Sequence, residues 1–150
     1  MERLMSKKEE TPVSAPIDLA KVDKPKYSKE DLLIIFDEIM FEGSYTEEVL
    51  IKNKLKVAFT TRSAANVADI TRELDSKKFN LMSSMVEQKA LLNICYSLVA
   101  YNGKGLKDAP IDIKKAFIEK LPAVVIMALS NALVEFDLKT EAALGESEAF

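Results

Sequence analysis

Leu91-Leu92-Asn93-Ile94-Cys95-Tyr96-Ser97-Leu98-Val99-Ala100 is the apolar centre of a helical pattern spanning residues 81–101. A second pattern opens with Pro122-Ala123-Val124-Val125-Ile126-Met127-Ala128-Leu129 and runs to residue 136 with no charged side chain before Glu135. Helices so apolar all round need cover on several sides, from the rest of a domain or from another chain. The pair sets the expected architecture: mainly α with one β-hairpin, an α+β fold of about five helices around these two.

In the first helix Leu81, Met85, Leu92, Tyr96 and Val99 mark one side, which Leu91, Ile94, Cys95 and Leu98 broaden, with Asn80 placed as its cap. Asn102-Gly103-Lys104-Gly105 is expected to end it, because Asn and Gly accept the left-handed backbone that a helix C-terminus requires. In the second, Val125, Leu129, Leu133 and Phe136 form the main stripe, with Val124, Met127, Ala128 and Ala132 alongside, and the pattern fades past Asp137. Between them Asp108-Ala109-Pro110 starts a shorter helix with Ile113, Phe117 and Leu121 on its buried side. Leu121, held before Pro122, is pushed out of helical backbone, so these last two helices meet at a corner.

Upstream, residues 1–27 read as an extended arm, with the charge cluster Lys7-Lys8-Glu9-Glu10 and with Pro12, Pro16 and Pro25 interrupting any helix. Ser28 caps a helix whose first turn holds Glu30 and Asp31, where acidic groups suit the dipole. Its expected stripe is Leu32, Leu33, Phe36, Ile39 and Met40, and Gly43 stops it. From residue 45 to 61 the period changes to alternation: Val49 and Ile51, then Leu55, Val57 and Phe59 on one face, around a turn at Asn53. That is a hairpin, and two strands alone are only marginally stable in water, so it must pack on a helix or join another sheet. Ser63 caps a helix over residues 64–74 with Val67, Ile70 and Leu74 on one face. The expected division is an arm (1–27), one helical domain (28–144) and an acidic tail (145–150).

A chain of 150 residues is the size of one domain, and 48% hydrophobic with 30% charged residues is the balance of an ordinary globular protein. A net charge of -3 carries no electrostatic footprint for nucleic acid. The N-terminus lacks the apolar core of a signal peptide, and the uncharged run over residues 121–134 is shorter than the roughly 20 residues a span needs. Synthesis in the cytoplasm without a membrane span is expected.

No histidine is present, which removes the usual acid, base and metal ligand at neutral pH. Cys95, the single cysteine, has no base to activate it and reads as a small core hydrophobe. Tyr96 and Tyr101 read as core residues with polar tips, and Ser83-Ser84 lacks the G-x-S-x-G context of a nucleophile. Asp37, Glu38 and Glu42 cluster on the first helix but read as a solvated face, and Gly103-Lys104-Gly105 lacks the spacing of a phosphate loop. We therefore expect no catalytic, cofactor or metal site. The contacts to other chains are expected from the arm and hairpin, at Pro12, Pro16, Pro25, Tyr45, Val49 and Ile51.

The run Lys56-Val57-Ala58-Phe59-Thr60-Thr61-Arg62-Ser63-Ala64, followed by Ile70 and Leu74, resembles the strand-to-helix passage of small structural proteins of tailed bacteriophages. Asn93-Ile94-Cys95-Tyr96-Ser97-Leu98 with Tyr101-Asn102-Gly103, and Leu121-Pro122-Ala123-Val124-Val125 with Leu133-Val134-Glu135-Phe136-Asp137, are similar to the helical halves of those baseplate hub and tail-assembly proteins. The resemblance covers about residues 45–140. It implies a non-enzymatic virion component of the tail or baseplate, made in the host cytoplasm and bound to other tail proteins in a hetero-oligomeric assembly. An assembly chaperone that leaves before maturation is the alternative within it. A small protein-binding regulatory module is a reading independent of the resemblance.

Overall fold

Ser28 opens the first helix by accepting the Asp31 backbone N–H at 3.1 Å, and Gly43 closes it at φ +83°, a conformation that favours a residue without Cβ. The computed structural model describes residues 27–77 and 82–145. Helix α1, Lys29–Glu42, is followed by strand β1, Thr46–Ile51, and strand β2, Leu55–Thr60. Then come α2, Ala64–Asp75, and α3, Met82–Ser97. Strands β3, Leu98–Tyr101, and β4, Lys104–Gly105, precede α4, Ile111–Glu119, and α5, Ala123–Ala143. Among the described residues, five helices and one antiparallel sheet confirm the mainly α, α+β class.

The hairpin forms as expected, with Thr46 opposite Thr60 and Ile51 opposite Leu55. Lys52 and Asn53 both take positive φ in its turn, closed by Lys54 N–H to the Ile51 carbonyl at 3.0 Å. The hairpin does not stand alone, however. Among the described residues the sheet has four strands in the order β1-β2-β3-β4, and its third and fourth come from residues expected to finish the central helix. That helix stops at Ser97, the chain passes directly into β3, and Asn102-Gly103 makes a two-residue turn, with φ of +49° and +88°. Left-handed backbone is common to helix ends and mirror-image hairpin turns, so the same dipeptide serves either.

Being second of four, β2 has both edges paired, and Val57, Ala58 and Phe59 are buried consecutively instead of alternating. A register shift between Ala58 and Phe59 where β2 meets β3 accompanies this. The main core joins Val57 and Phe59 of the sheet to Ile94, Cys95 and Leu98, to Leu106 and Ile118, and to Leu129, Leu133 and Phe136 of α5. Leu92 turns the other way, against Ile70 and Leu74 of α2.

Four helical faces differ from expectation. In α2 Ile70 and Leu74 are buried as expected, but Val67 is exposed. In α1 the buried residue is Ile35, with Leu32, Phe36 and Ile39 half-buried, while Leu33 and Met40 are exposed. The run is apolar in nearly every direction, so periodicity alone left the inward face open. In α4 it is Lys114 and Ile118 that are buried, and Ile113 is exposed. In α5 Leu129, Leu133 and Phe136 are buried as expected, but Val124 and Met127 are exposed, and the helix continues through a buried Thr140. The proposed cap Asn80, the arm before Tyr27 and the tail beyond Gly145 lie outside the described residues.

Candidate interaction surface

Two surfaces are built by this arrangement. The first lies on α1. With Ile35, Ile39, Leu32 and Phe36 turned toward the body, helical spacing puts Leu33, Asp37, Met40 and Phe41 on the opposite side, with Ile34 and Glu38 at its border toward Tyr45. There Phe41 is 84% exposed and Ile34 61%. Asp37, Glu38, Phe41 and Glu42 together border a shallow depression. The face thus carries large apolar side chains set among carboxylates. Among the described residues no group of His, Cys, Asp or Glu is arranged to hold a metal ion.

The second surface is the outer edge of β1 with the groove between it and α5. Thr61 N–H donates to the Tyr45 carbonyl at 3.0 Å. Hydrogen-bonded pairs alternate along an antiparallel ladder, so Glu47, Val49 and Ile51 spend their backbone groups on β2. Thr46, Glu48 and Leu50 turn theirs to the outer edge, where no strand lies among the described residues. The groove holds about 390 Å³ and is walled by Val49, Leu50 and Ile51 on one side and by Ala128, Ala132 and Phe136 on the other.

One end of the groove is fixed by a polar chain. Tyr45 stacks on Phe136, with ring centroids 6.0 Å apart and planes 8° from parallel, and its hydroxyl donates to Glu47 Oε1 at 2.6 Å. Burial, then the Glu47 carboxylate, pushes the Tyr45 hydroxyl far above its ordinary pKa. Lys139 Nζ from α5 donates to both Glu47 oxygens at 2.9 Å and stands 5.7 Å from the centre of the Tyr27 ring. Tyr27 therefore meets the groove beside Glu47. Of the six residues expected to make contacts, Tyr45, Val49 and Ile51 all lie half-buried on the α5 side of β1, packed against the core. Pro12, Pro16 and Pro25 lie outside the described residues. The α1 face was not among the expected contacts, and its signal was the apolar excess of Leu32-Leu33-Ile34-Ile35-Phe36.

Elsewhere, Cys95 is fully buried, and desolvation pushes its thiol up to about 11. A thiol so placed is not primed for attack. Lys104, in the second hairpin, stands 5.2 Å over the Phe117 ring, an ordinary cation–π seat. No helix among the described residues is long and apolar enough to cross a membrane. Compared with known protein families, with characterised proteins and with solved structures, the chain matches none.

Proposed function

We propose that this chain is a non-enzymatic, protein-docking subunit of a tailed-phage tail or baseplate, seated against neighbours through the outer face of α1 and through its hairpin and arm. The observation that carries the docking reading is Phe41, 84% exposed beside Ile34, Leu33 and Met40 on one helix face. Covering a side chain of that size is worth about 2 kcal/mol, and clustered apolar exposure marks interaction surfaces. Asp37, Glu38 and Glu42 among these residues fit a neighbour whose apolar pocket is rimmed by lysine or arginine. The phage setting rests on the resemblance of the segments at 56–64, 93–103 and 121–137.

Mass spectrometry of purified particles of the encoding phage is expected to find the chain at a fixed, small copy number. Its absence from particles, with capture of tail proteins from infected cells, would replace the retained subunit by an assembly chaperone. Phe41→Ser is expected to leave the unfolding free energy from urea titration within about 0.5 kcal/mol of the parent, as surface changes do, while abolishing capture of the neighbour. Unchanged capture would remove α1 from the contact.

A further inference from the structure

Helix α5 carries two apolar stripes. Leu129 and Phe136 fill the core, and half a turn round from them Val124, Met127, Val134 and Leu138 are each more than half exposed. With Asn131, also exposed, these residues are spaced three, four, three and four apart. That is the 3.5-residue repeat of positions a and d in a coiled-coil seam, narrower than the stripe by which a helix packs on its own domain. We propose that a second copy of this chain covers the seam, the two α5 helices packing in parallel about a two-fold axis.

Asn131 is what points to a second copy. It holds the middle a position, between Val124 and Leu138, while Met127 and Val134 hold d. Against a wholly apolar partner its carboxamide would be buried with no hydrogen-bond partner, which is costly. In a parallel pair in register each a position faces its own copy, so the two amides can bond each other. A single asparagine at a is a device that sets register and strand number. In an antiparallel pair a faces d, and Asn131 would lie against Met127 or Val134.

The flanks of the seam favour the same orientation. On one side α5 shares a groove with α3, where Glu87 stands beside Ala123 and Met127. On the other it shares a groove with β1, whose start is held at Lys139 by Glu47, so that Lys52 lies at the Ala128 end. A parallel two-fold turns the α3 flank of each copy toward the β1 flank of the other, which brings Glu87 and Lys52, opposite charges near the same level of α5, toward each other twice. An antiparallel axis would turn each flank toward itself. From Val124 to Leu138 the seam rises about 21 Å, a contact at the small end of specific interfaces, so pairing is expected at tens of micromolar. It needs only α5 and stands whether or not the chain belongs to a phage tail.

Sedimentation equilibrium of the full chain from roughly 1 to 300 µM tests the pairing. The mass is expected to rise from 16.7 kDa toward twice that value, and a monomer at every concentration, or growth beyond two copies, would overturn it. Val134→Asp is expected to weaken association about a hundredfold or more while keeping cooperative unfolding by circular dichroism. A folded variant that pairs as before would remove α5 from the contact. Phe41→Ser on α1 is expected to leave pairing unchanged, and loss of the dimer there would overturn the seam in favour of α1. Val124→Cys reads the direction: in a parallel pair the two sulfurs face each other and air oxidation links the chains, whereas in an antiparallel pair they stand roughly 20 Å apart along the axis. The parent, whose only thiol is the buried Cys95, stays unlinked. A dimer that Val124→Cys fails to link would overturn the parallel arrangement.

Discussion

Arg62 Nη2 lies 2.6 Å from Asp137 Oδ2, joining the loop after β2 to the middle of α5 across 75 residues of sequence. The other arm of the guanidinium donates to the hydroxyl of Ser97, which is fully buried at the point where α3 becomes β3. One side chain thus ties the sheet, the central helix and the last helix. The carboxylate keeps some contact with water, so the cost of breaking the pair falls below the roughly 3–5 kcal/mol of a fully buried one. Arg62→Ala is expected to destabilise the fold by about 2 kcal/mol in urea titration. Arg62→Lys should restore little of that, since a point charge cannot reach both partners as the planar fork does. A loss below about 0.5 kcal/mol would place the pair among ordinary surface contacts.

Leu92 and Leu129 are both fully buried but serve different clusters, Leu92 against Ile70 and Leu74, Leu129 within the main core. Truncation to alanine at either site is expected to cost about 2–5 kcal/mol. Leu92→Asp or Leu129→Asp should leave no cooperative unfolding transition by circular dichroism, because each would bury an unpaired charge. If Leu92→Ala costs under about 1 kcal/mol while Leu129→Ala costs the full amount, α2 is docked loosely.

What the residues alone disclosed follows the strength of their periodicity. The Val49–Ile51 and Leu55–Phe59 alternation located the hairpin, and the stripe through Leu129, Leu133 and Phe136 located the buried side of α5. The passage from α3 to β3 was hidden because helix and strand join at Ser97 and Leu98 with no intervening turn residue, inside one apolar run. Asn102-Gly103 between Tyr101 and Lys104 was the available sign, since that dipeptide flanked by strand residues is a strong short-range hairpin signal. The outward face of α1 was hard to read for a related reason: eight apolar residues among its fourteen point in most directions, and only the packing of α1 against α5 decides which turn outward.

Glu73 of α2 accepts from Lys115 of α4 and lies 3.4 Å from Lys77. The hydrogen bond from Lys115 is the main reason its carboxyl is held below the ordinary value of 4.5, and the same bond raises the Lys115 ammonium above 10.5. A carboxylate lowered on folding contributes stability that is present above its unfolded pKa and lost as pH falls through the folded one. For Lys115 the contribution is complete below 10.5 and lost as pH rises past its raised folded value. The stability difference between the parent and Glu73→Gln is therefore expected to be constant from pH 6 to 9 and to shrink below about pH 4.5. A difference that stays flat from pH 6 to pH 3 would show that the pair adds nothing to folding.

Lys114 presents the opposite case. It is only 6% exposed, no ion-pair partner for it lies among the described residues, and burial draws its ammonium below the ordinary value. The aliphatic stem fills space beside Ile118 while the charge loses hydration. Lys114→Met keeps the volume and removes the charge, so it is expected to raise stability by about 1 kcal/mol in urea titration. A destabilising effect would mean that the ammonium is better satisfied than its burial implies.

Cys95 offers a probe of the whole body, because it sits in α3 where the main core closes over it from the sheet, α4 and α5. Burial dominates its electrostatics: the thiol is pushed up to about 11, against the opposing pull of nearby Lys115. At pH 8 only about one molecule in a thousand would carry the reactive thiolate, even if a reagent could reach it. Reach is the second barrier, since a fully buried sulfur is exposed only when the core opens. Labelling by a disulfide reagent at pH 8 is therefore expected to be at least a thousandfold slower in buffer than in 6 M guanidinium, and single-exponential. Leu129→Ala should speed it about tenfold for each ~1.4 kcal/mol of lost stability when opening is fast relative to labelling. Rapid stoichiometric labelling of the parent chain in buffer would mean that α3 separates from the sheet without global unfolding.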